Sequence, residues 1–75
     1  MAERGDEWFA GAALLRRAID IISDGRTPSL VVRGLEHTVI ADEIEMDSFV
    51  ATIRTTDSRR ISLAIASIIA VEDLG

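Results

Sequence analysis

The fold is decided by the stretch Leu30–Val71, which runs LVVRGLEHTVIADEIEMDSFVATIRTTDSRRISLAIASIIAV. Its apolar and β-branched residues alternate with polar ones in five short runs, and turn-forming residues separate the runs. Within Asp47-Ser48-Phe49-Val50, Asp47-Ser48 predicts a two-residue turn, and Phe49 begins a middle strand. The last two runs are continuous over Ile61–Val71, which predicts one strand that bends at Ser67 and continues as the next strand. We therefore expect five short strands over residues 30–71.

The second and fifth runs depart from simple alternation. In the second run the side predicted to face inward consists of Thr38, Ile40, Asp42, Ile44 and Met46. A carboxylate does not suit an apolar side, so Asp42 predicts a bend or a β-bulge. The fifth run, Ile68–Val71, is apolar on both faces, which is typical of a strand buried between neighbours.

Helical spacing precedes the strands. Asp6 is a suitable N-cap, Gly25 can adopt the left-handed conformation that ends a helix, and Pro28 forbids continuation. The pattern predicts a loose segment over residues 1–6 and a helix over residues 7–24, so the mostly β domain has an N-terminal α-helix. Its apolar stripe is made by Trp8, Gly11, Ala12, Leu14, Leu15, Ala18, Ile19 and Ile22.

Size and composition indicate one domain, residues 1–75, that is 48% hydrophobic with one Trp, two Phe and no Tyr. A chain this short buries only about 60% of the surface that it exposes when unfolded. The apolar surplus favours burial between subunits of a homo-oligomer. The alternative is a tightly packed monomer with an Ala-rich helix.

Several classes of function are disfavoured by what the sequence lacks. It contains no Cys, so thiolate chemistry and disulfides are excluded. The polar, acidic start does not resemble a signal peptide, and no apolar run approaches the roughly 18 residues of a membrane span, so we expect a cytoplasmic protein that does not enter membranes. No nucleophile–base pair, phosphate loop or metal-ligand spacing occurs, so no enzyme, metal or cofactor is expected. The net charge of −5 disfavours a general nucleic-acid binder.

A helix followed by five strands, together with the segments Asp47–Val50 and Ile61–Val71, resembles the Sm-like fold. The layout is closest to that of the bacterial Hfq family. The likeness covers residues 14–71. Pro28 lies where that family has a proline, Asp47-Ser48-Phe49-Val50 is similar to its Asp-Gln-Phe-Val, and residues 66–71 are similar to its final Ile-Ser-Thr-Val-Val run. The resemblance implies a small five-stranded, strongly bent antiparallel β-barrel over residues 30–71, which assembles into rings and contacts RNA.

The resemblance also assigns candidate RNA contacts. Phe49 matches a base-stacking position and Ser48 replaces a glutamine beside it. Leu63-Ala64 replaces the Lys-His pair that contacts uridine-rich RNA in the family. Arg54, Arg59 and Arg60 form the best positive patch of the sequence, and with Phe49 and Ser48 they are the candidate RNA-binding residues. Weak binding is expected, because stacking remains while the Lys-His pair is absent.

The resemblance further implies a homo-oligomeric ring of roughly five to seven subunits, in which the fourth strand of one subunit pairs with the fifth strand of the next. The candidate interface residues are Ser62, Leu63, Ala64, Ile65, Ile68, Ile69, Ala70 and Val71.

Four other features have two interpretations each. His37 is either a solvated turn residue or one ligand of a metal shared around a ring. The acidic run Asp42, Glu43, Glu45 and Asp47 is either a solvated face or a cation site. Arg59-Arg60 with Arg54 either meets phosphate or pairs with acidic residues. Trp8 either packs in the core or stacks on a ligand.

Phe49 likewise either plugs the core or lines a pore. Three functions are compatible with these features: an RNA-associated ring, a ring or scaffold subunit without RNA, and a small adaptor that binds a protein through its helix face or an open strand edge.

Overall fold

The computed structural model describes the backbone of residues 2–75 and the side chains of residues 7–75. The chain forms one α-helix, then five strands, with a short 3₁₀ turn before the last strand. The elements are α1 (Ala2–Ser23), β1 (Pro28–Val32), β2 (Val39–Asp47), β3 (Val50–Thr55), β4 (Arg60–Ala64), the 3₁₀ turn (Ile65–Ser67) and β5 (Ile68–Asp73). The predicted joint at Ser67 is confirmed as this 3₁₀ turn, in which the Ser67 hydroxyl donates to the Ala64 carbonyl at 2.6 Å.

The C-terminal end of α1 follows the prediction closely. Gly25 has a φ of +79°, in the left-handed region. Its N–H donates to the Ile22 carbonyl at 2.9 Å, and the N–H of Arg26 donates to the Ile21 carbonyl at 3.0 Å. This pair of bonds is the Schellman motif, which satisfies carbonyls that the end of a helix otherwise leaves free.

The other end of α1 differs from the prediction. The helix begins at Ala2 rather than near Glu7, so the expected loose segment is helical over Ala2–Asp6, and Met1 lies outside the described residues. Asp6 is therefore inside the helix and does not cap it. Ala2, Glu3 and Arg4 are all good helix formers, and they extend the helix past the position where a capping residue alone would start it.

The sheet is antiparallel and open, with the strand order β4-β3-β2-β1-β5. The prediction of five strands after a helix is confirmed. The prediction of a closed barrel is wrong for the single chain, because β4 pairs only with β3 and β5 only with β1 among the described residues. The two strands are consecutive in sequence but lie at opposite edges of the bent sheet, so closure within the chain does not occur.

A β-bulge at Asp42 reverses the side-chain orientation along β2. The register against β3 shifts between Ala41 and Glu43, which confirms the irregularity predicted at Asp42. Before the bulge, Val39 and Ala41 are buried while Ile40 is 39% exposed; after it, Ile44 and Met46 pack against the core. The inward orientation predicted for Ile40 is thus wrong, because the prediction continued one alternation across the extra residue.

The core lies between α1 and one face of the sheet. The helix contributes Ala12, Leu15, Ala18 and Ile21, and the strands and the 3₁₀ turn contribute Leu30, Val32, Val39, Ala41, Ala51, Ile53, Ile65 and Ile68. Of the predicted stripe, Trp8, Leu14, Ile19 and Ile22 are only partly buried, and Ile21 was not included. The helix is therefore rotated slightly from the predicted orientation.

Gly11 is where α1 approaches the 3₁₀ turn most closely. A Cβ atom placed on Gly11 would lie 1.9 Å from the carbonyl oxygen of Ile65. Only glycine allows this approach. The contact fixes the start of the helix beside the β2–β3 turn, where the chain's aromatic residues lie.

Candidate functional site

All three aromatic residues of the chain meet at one end of the molecule. The rings of Trp8 and Phe9 are 5.1 Å apart between centroids, and those of Trp8 and Phe49 are 6.4 Å apart, both in edge-to-face arrangements. Trp8 and Phe9 come from α1, and Phe49 comes from the turn between β2 and β3. We call Trp8, Phe9 and Phe49 the aromatic patch.

Backbone hydrogen bonds hold the aromatic patch in place. The indole N–H of Trp8 donates to the carbonyl of Ser48 at 2.9 Å, which links the helix to the turn. Ser48 has a φ of +49°, in the left-handed region, and the N–H of Ile65 donates to the carbonyl of Phe49 at 2.9 Å. The turn is thus tied both to α1 and to the 3₁₀ turn, so the position of the Phe49 backbone is well defined.

The two phenylalanines of the patch face solvent. Phe49 is 72% exposed and Phe9 is 67% exposed, whereas Trp8 is partly buried against the core. Phe49 is therefore not a core plug in the single chain. Trp8 packs against the core, as the first of its two interpretations predicts, and its ring also contacts those of Phe9 and Phe49 edge to face. An exposed cluster of large apolar side chains on a small domain is typical of an interaction site.

The three arginines among the predicted RNA contacts lie away from the aromatic patch. Arg54 is near the other end of β3, about 16 Å along the strand from Phe49. Arg54 pairs with Asp42 at 3.2 Å and Arg59 pairs with Asp57 at 3.5 Å. The structure therefore brings Ser48 together with Phe49 but does not bring the arginines to them, and two of the three arginines face carboxylates.

Arg60 lies on the face of the sheet that points away from the core. The cross-strand pairs place Glu43, Arg54 and Arg60 in one row and Glu45, Thr52 and Ser62 in the next. All of these side chains except that of Ser62 line a small polar cleft of about 40 Å³. The acidic run of β2 is thus partly matched by arginines across the sheet. No group of three or more His, Cys, Asp or Glu in the described part of the chain is arranged to hold a metal ion.

A larger groove lies at the opposite end of β2 and β3 from the aromatic patch. Its volume is about 510 Å³, and its walls come from the β1–β2 loop, the start of β2 and the β3–β4 turn. Leu35, Val39, Ile40 and Ile61 supply its apolar wall, and His37, Asp57 and Arg59 stand among its polar residues. His37 is therefore an exposed loop residue at a groove. Sequence reasoning did not find this groove, because it depends on loops that come together only in the fold.

The β3–β4 turn beside the groove contains a perturbed carboxylate. The Thr55 hydroxyl donates to Asp57 and accepts from the N–H of Arg59 at 3.1 Å. The hydrogen bond from Thr55 and, to a smaller extent, the charge of Arg59 lower the pKa of Asp57 below its usual value, and partial desolvation opposes the shift. A second perturbed group lies where the end of α1 meets the end of β5. There Arg26 pairs with Asp24 and Asp73, and these two carboxylates raise the pKa of Arg26.

The edge strands β4 and β5 are the other notable surface. The predicted interface residues divide into two groups there. Ser62, Ala64 and Ile69 are exposed, and Leu63, Ala70 and Val71 are partly exposed. Ile65 and Ile68 are buried in the chain's own core, and Ile65 lies in the 3₁₀ turn rather than in β4. The accessible edges are thus Arg60–Ala64 and the part of β5 that follows Ile68.

Charges at the ends of the two edge strands are complementary. Arg60 begins β4, and Glu72-Asp73 ends β5. Among the side chains that the structure describes, Arg60 and Glu72 form no ion pair, while Asp73 is bound to Arg26. Sequence reasoning did not single out Glu72, since its importance depends on where the edge strands end.

Comparisons of the chain with protein-family models, with curated proteins and with solved structures find no match. Within residues 2–75, no helix is both long enough and apolar enough to cross a membrane.

Proposed function

We propose that this chain is the subunit of an Sm-like homo-oligomeric ring of roughly five to seven copies, with weak RNA binding. The observation that carries the proposal is the pair of unpaired edge strands with opposite charges at matching ends. Open edges are normally shielded, because they invite pairing with other chains. Here the charged residues are confined to the strand ends, and Ser62–Ala64 of β4 and Ile69–Val71 of β5 present apolar and small side chains.

Charge favours one arrangement of the edges over the others. Antiparallel pairing of β4 with β5 of a second copy brings Arg60 opposite the Glu72-Asp73 end and Ala64 opposite the Ile68 end. Antiparallel pairing of β4 with β4, or of β5 with β5, leaves these charges without partners. Pairing of β4 with β5 uses a different edge on each copy, so it propagates head to tail and closes into a ring when the rotation per subunit allows it.

The topology also supports the proposal. An N-terminal helix and an antiparallel sheet in the order β4-β3-β2-β1-β5 are consistent with an Sm-like fold. An open sheet provides the two edges that ring assembly requires, whereas a barrel closed within one chain would leave none. The part of the proposal concerned with assembly involves no catalytic step.

The weak RNA binding rests on three observations. Phe49 offers an exposed ring for stacking, which contributes about 1–3 kcal/mol per base. The net charge is −5, and Arg54 and Arg59 already face carboxylates. We expect dissociation constants in the micromolar range or weaker for uridine-rich and adenine-rich oligonucleotides, with a shallow salt dependence. Nanomolar binding at physiological salt that is lost in Phe49→Ala would contradict this expectation and indicate an RNA-binding ring.

The assembly is tested by light-scattering mass together with the ultraviolet absorbance ratio of the freshly purified protein. We expect a mass several times that of the 8.2 kDa chain and little co-purifying nucleic acid. Ile69→Asp, which places a charge on the exposed edge of β5, should yield smaller species. Leu35→Asp is the matched control, because Leu35 is similarly exposed but lies in the β1–β2 loop. A monomeric wild-type chain, or an unchanged mass for Ile69→Asp, would exclude this interface.

A further inference from the structure

We propose that the aromatic patch is a docking surface for a cationic peptide segment, in which an Arg or Lys side chain lies next to an apolar one. The inference goes beyond ring assembly, since the patch contains no residue of either edge strand. Ring assembly and peptide docking can therefore succeed or fail separately, whereas the weak RNA stacking proposed for Phe49 would use the same ring.

The patch has the character of a prepared binding surface. Phe9 and Phe49 are the two most exposed large apolar side chains among the described residues, and Val50 beside them is also exposed. Trp8 contacts both of these rings edge to face, and its hydrogen bond to the Ser48 carbonyl fixes its position. Rigid aromatic side chains lose little conformational entropy when a partner binds, so they are effective anchors.

Charge around the patch selects a cation. Asp47 is exposed, lies two residues before Phe49, and is in no ion pair with the side chains that the structure describes. Glu7 precedes Trp8 in sequence. Among the side chains that the structure describes, Glu7 forms an ion pair with Arg33 alone, at 3.8 Å. The faces of aromatic rings attract cations, and carboxylates at the rim strengthen that attraction. A partner with a basic residue beside an apolar one matches both components.

The same charges disfavour the other occupants. A second copy placed face to face would bring Asp47 and Glu7 towards carboxylates of the same kind. A nucleic acid or an anionic membrane would bring phosphates towards Asp47 and Glu7. Arg33 is a cation beside this rim, but it already faces Glu7 at 3.8 Å, and Arg54 and Arg59 lie towards the far end of β3. Each of these occupants is distinguished from a cationic peptide by the experiment.

Trp8 is the only tryptophan, so its fluorescence reports on the patch directly. The probe is a capped synthetic peptide of alternating Arg and Leu, titrated into the full chain, with calorimetry as a second measurement that does not depend on the indole. The control probes are the same peptide with Glu in place of Arg, a single-stranded oligonucleotide, and phosphatidylcholine–phosphatidylglycerol vesicles.

We expect saturable binding of the Arg-Leu peptide that weakens as salt is added. Phe49→Ala and Phe9→Ala should each weaken it by about five- to tenfold, and Phe49→Leu by less, because Leu keeps apolar area but lacks the ring face. Asp47→Asn should weaken it by about threefold and flatten the salt dependence. Val31→Ala removes exposed apolar area on β1 and should change nothing.

Four outcomes would overturn the proposal. They are the absence of a saturable response to the Arg-Leu peptide, equal binding of the Glu-Leu peptide, tighter binding of the oligonucleotide or the vesicles, and a fall in light-scattering mass in Phe49→Ala. The last would identify a second copy as the occupant. Unfolding curves of each variant establish that the fold is retained, and Ile69→Asp tested with the same peptide shows whether binding survives loss of the ring.

Discussion

Single residues explain most of the departures from regular alternation in this chain. Asp42 could be recognised from the sequence because a carboxylate on an apolar side has to be accommodated by an irregularity, and the bulge is present. The consequence for Ile40 could not be recognised, since the sequence does not show on which side of Asp42 the extra residue is inserted. A bulge is visible as a misfit, but its position fixes the orientation of every residue before it.

Asp57 gives a prediction about pH at the residue scale. Its pKa is lowered mainly by the hydrogen bond from the Thr55 hydroxyl. A carboxyl whose folded pKa is depressed stabilises the fold fully above its unfolded pKa of about 3.9, and this contribution is lost as the pH falls through the lower folded pKa. Thr55→Val should therefore raise the pKa of Asp57 and remove this part of the loss of stability in acid.

The measurement is an NMR titration of the Asp57 carboxyl carbon, combined with urea unfolding at about pH 5 and about pH 3. Thr55→Ser is the matched control because it keeps the hydroxyl, and it should leave the pKa of Asp57 depressed. A wild-type Asp57 that titrates at its ordinary value, or a pKa that does not move in Thr55→Val, would show that the Thr55 hydrogen bond does not control this carboxyl.

At the scale of elements, the end of the helix was more predictable than its start. Gly25 and Pro28 are residues with few conformational alternatives, and the helix ends within one residue of the predicted position. At the N-terminus the polar residues Glu3 and Arg4 are equally compatible with a helix and with a loose segment. The rotation of the helix on the sheet was also not predicted, because Ile21 and Ile22 are equivalent until the opposing surface is known.

The contact between α1 and the 3₁₀ turn gives the element-scale prediction, Gly11→Ala. In an exposed helix position this change would stabilise the helix by about 1 kcal/mol. Here the added Cβ meets the Ile65 carbonyl, and overpacking of this kind costs about 1–3 kcal/mol. We therefore expect Gly11→Ala to lower the free energy of unfolding despite the higher helix propensity of alanine.

Urea unfolding followed by circular dichroism measures the effect. Ala13→Gly is the control, since Ala13 lies on the exposed face of α1 and should lose only about 1 kcal/mol through propensity. Because the contact also sets the distance between α1 and the β2–β3 turn, Gly11→Ala should shift the emission of Trp8. If the variant is as stable as the wild type and its emission is unchanged, then α1 and the 3₁₀ turn are farther apart in solution than the structure places them.

At the scale of the whole molecule, the sequence was sufficient for the number and order of the elements but not for the surfaces between them. Alternating runs and turn residues are local signals, and they identified five strands after a helix. The aromatic patch could not be predicted from local signals, because it brings together residues that are distant in sequence. Trp8, for example, donates a hydrogen bond to Ser48, which is 40 positions away. The sequence gives a weak indication that Phe9 belongs to an exposed site, because it is an aromatic residue beside Trp8 but off the apolar stripe. It gives no such indication for Glu72.

The proposed ring makes a further prediction about charge at the subunit interface. Arg60 and Glu72 stand at opposite ends of the two edge strands and come together only when β4 of one copy pairs antiparallel with β5 of the next. Arg60→Glu should therefore weaken assembly, because it places a carboxylate against Glu72-Asp73. Glu72→Arg should weaken assembly as well, because it places Arg60 opposite a second cation.

The double variant Arg60→Glu/Glu72→Arg restores opposite charges across the interface and should recover most of the assembly that either single variant loses. Light-scattering mass over a dilution series, at low and at high salt, measures this recovery, and high salt should reduce the differences among the variants. Within a single chain Arg60 and Glu72 lie in strands at opposite edges of the sheet and form no ion pair with each other, so recovery of assembly in the double variant indicates contact between copies. Additive losses in the double variant would mean that β4 and β5 do not pair in this register, whatever mass the wild type has.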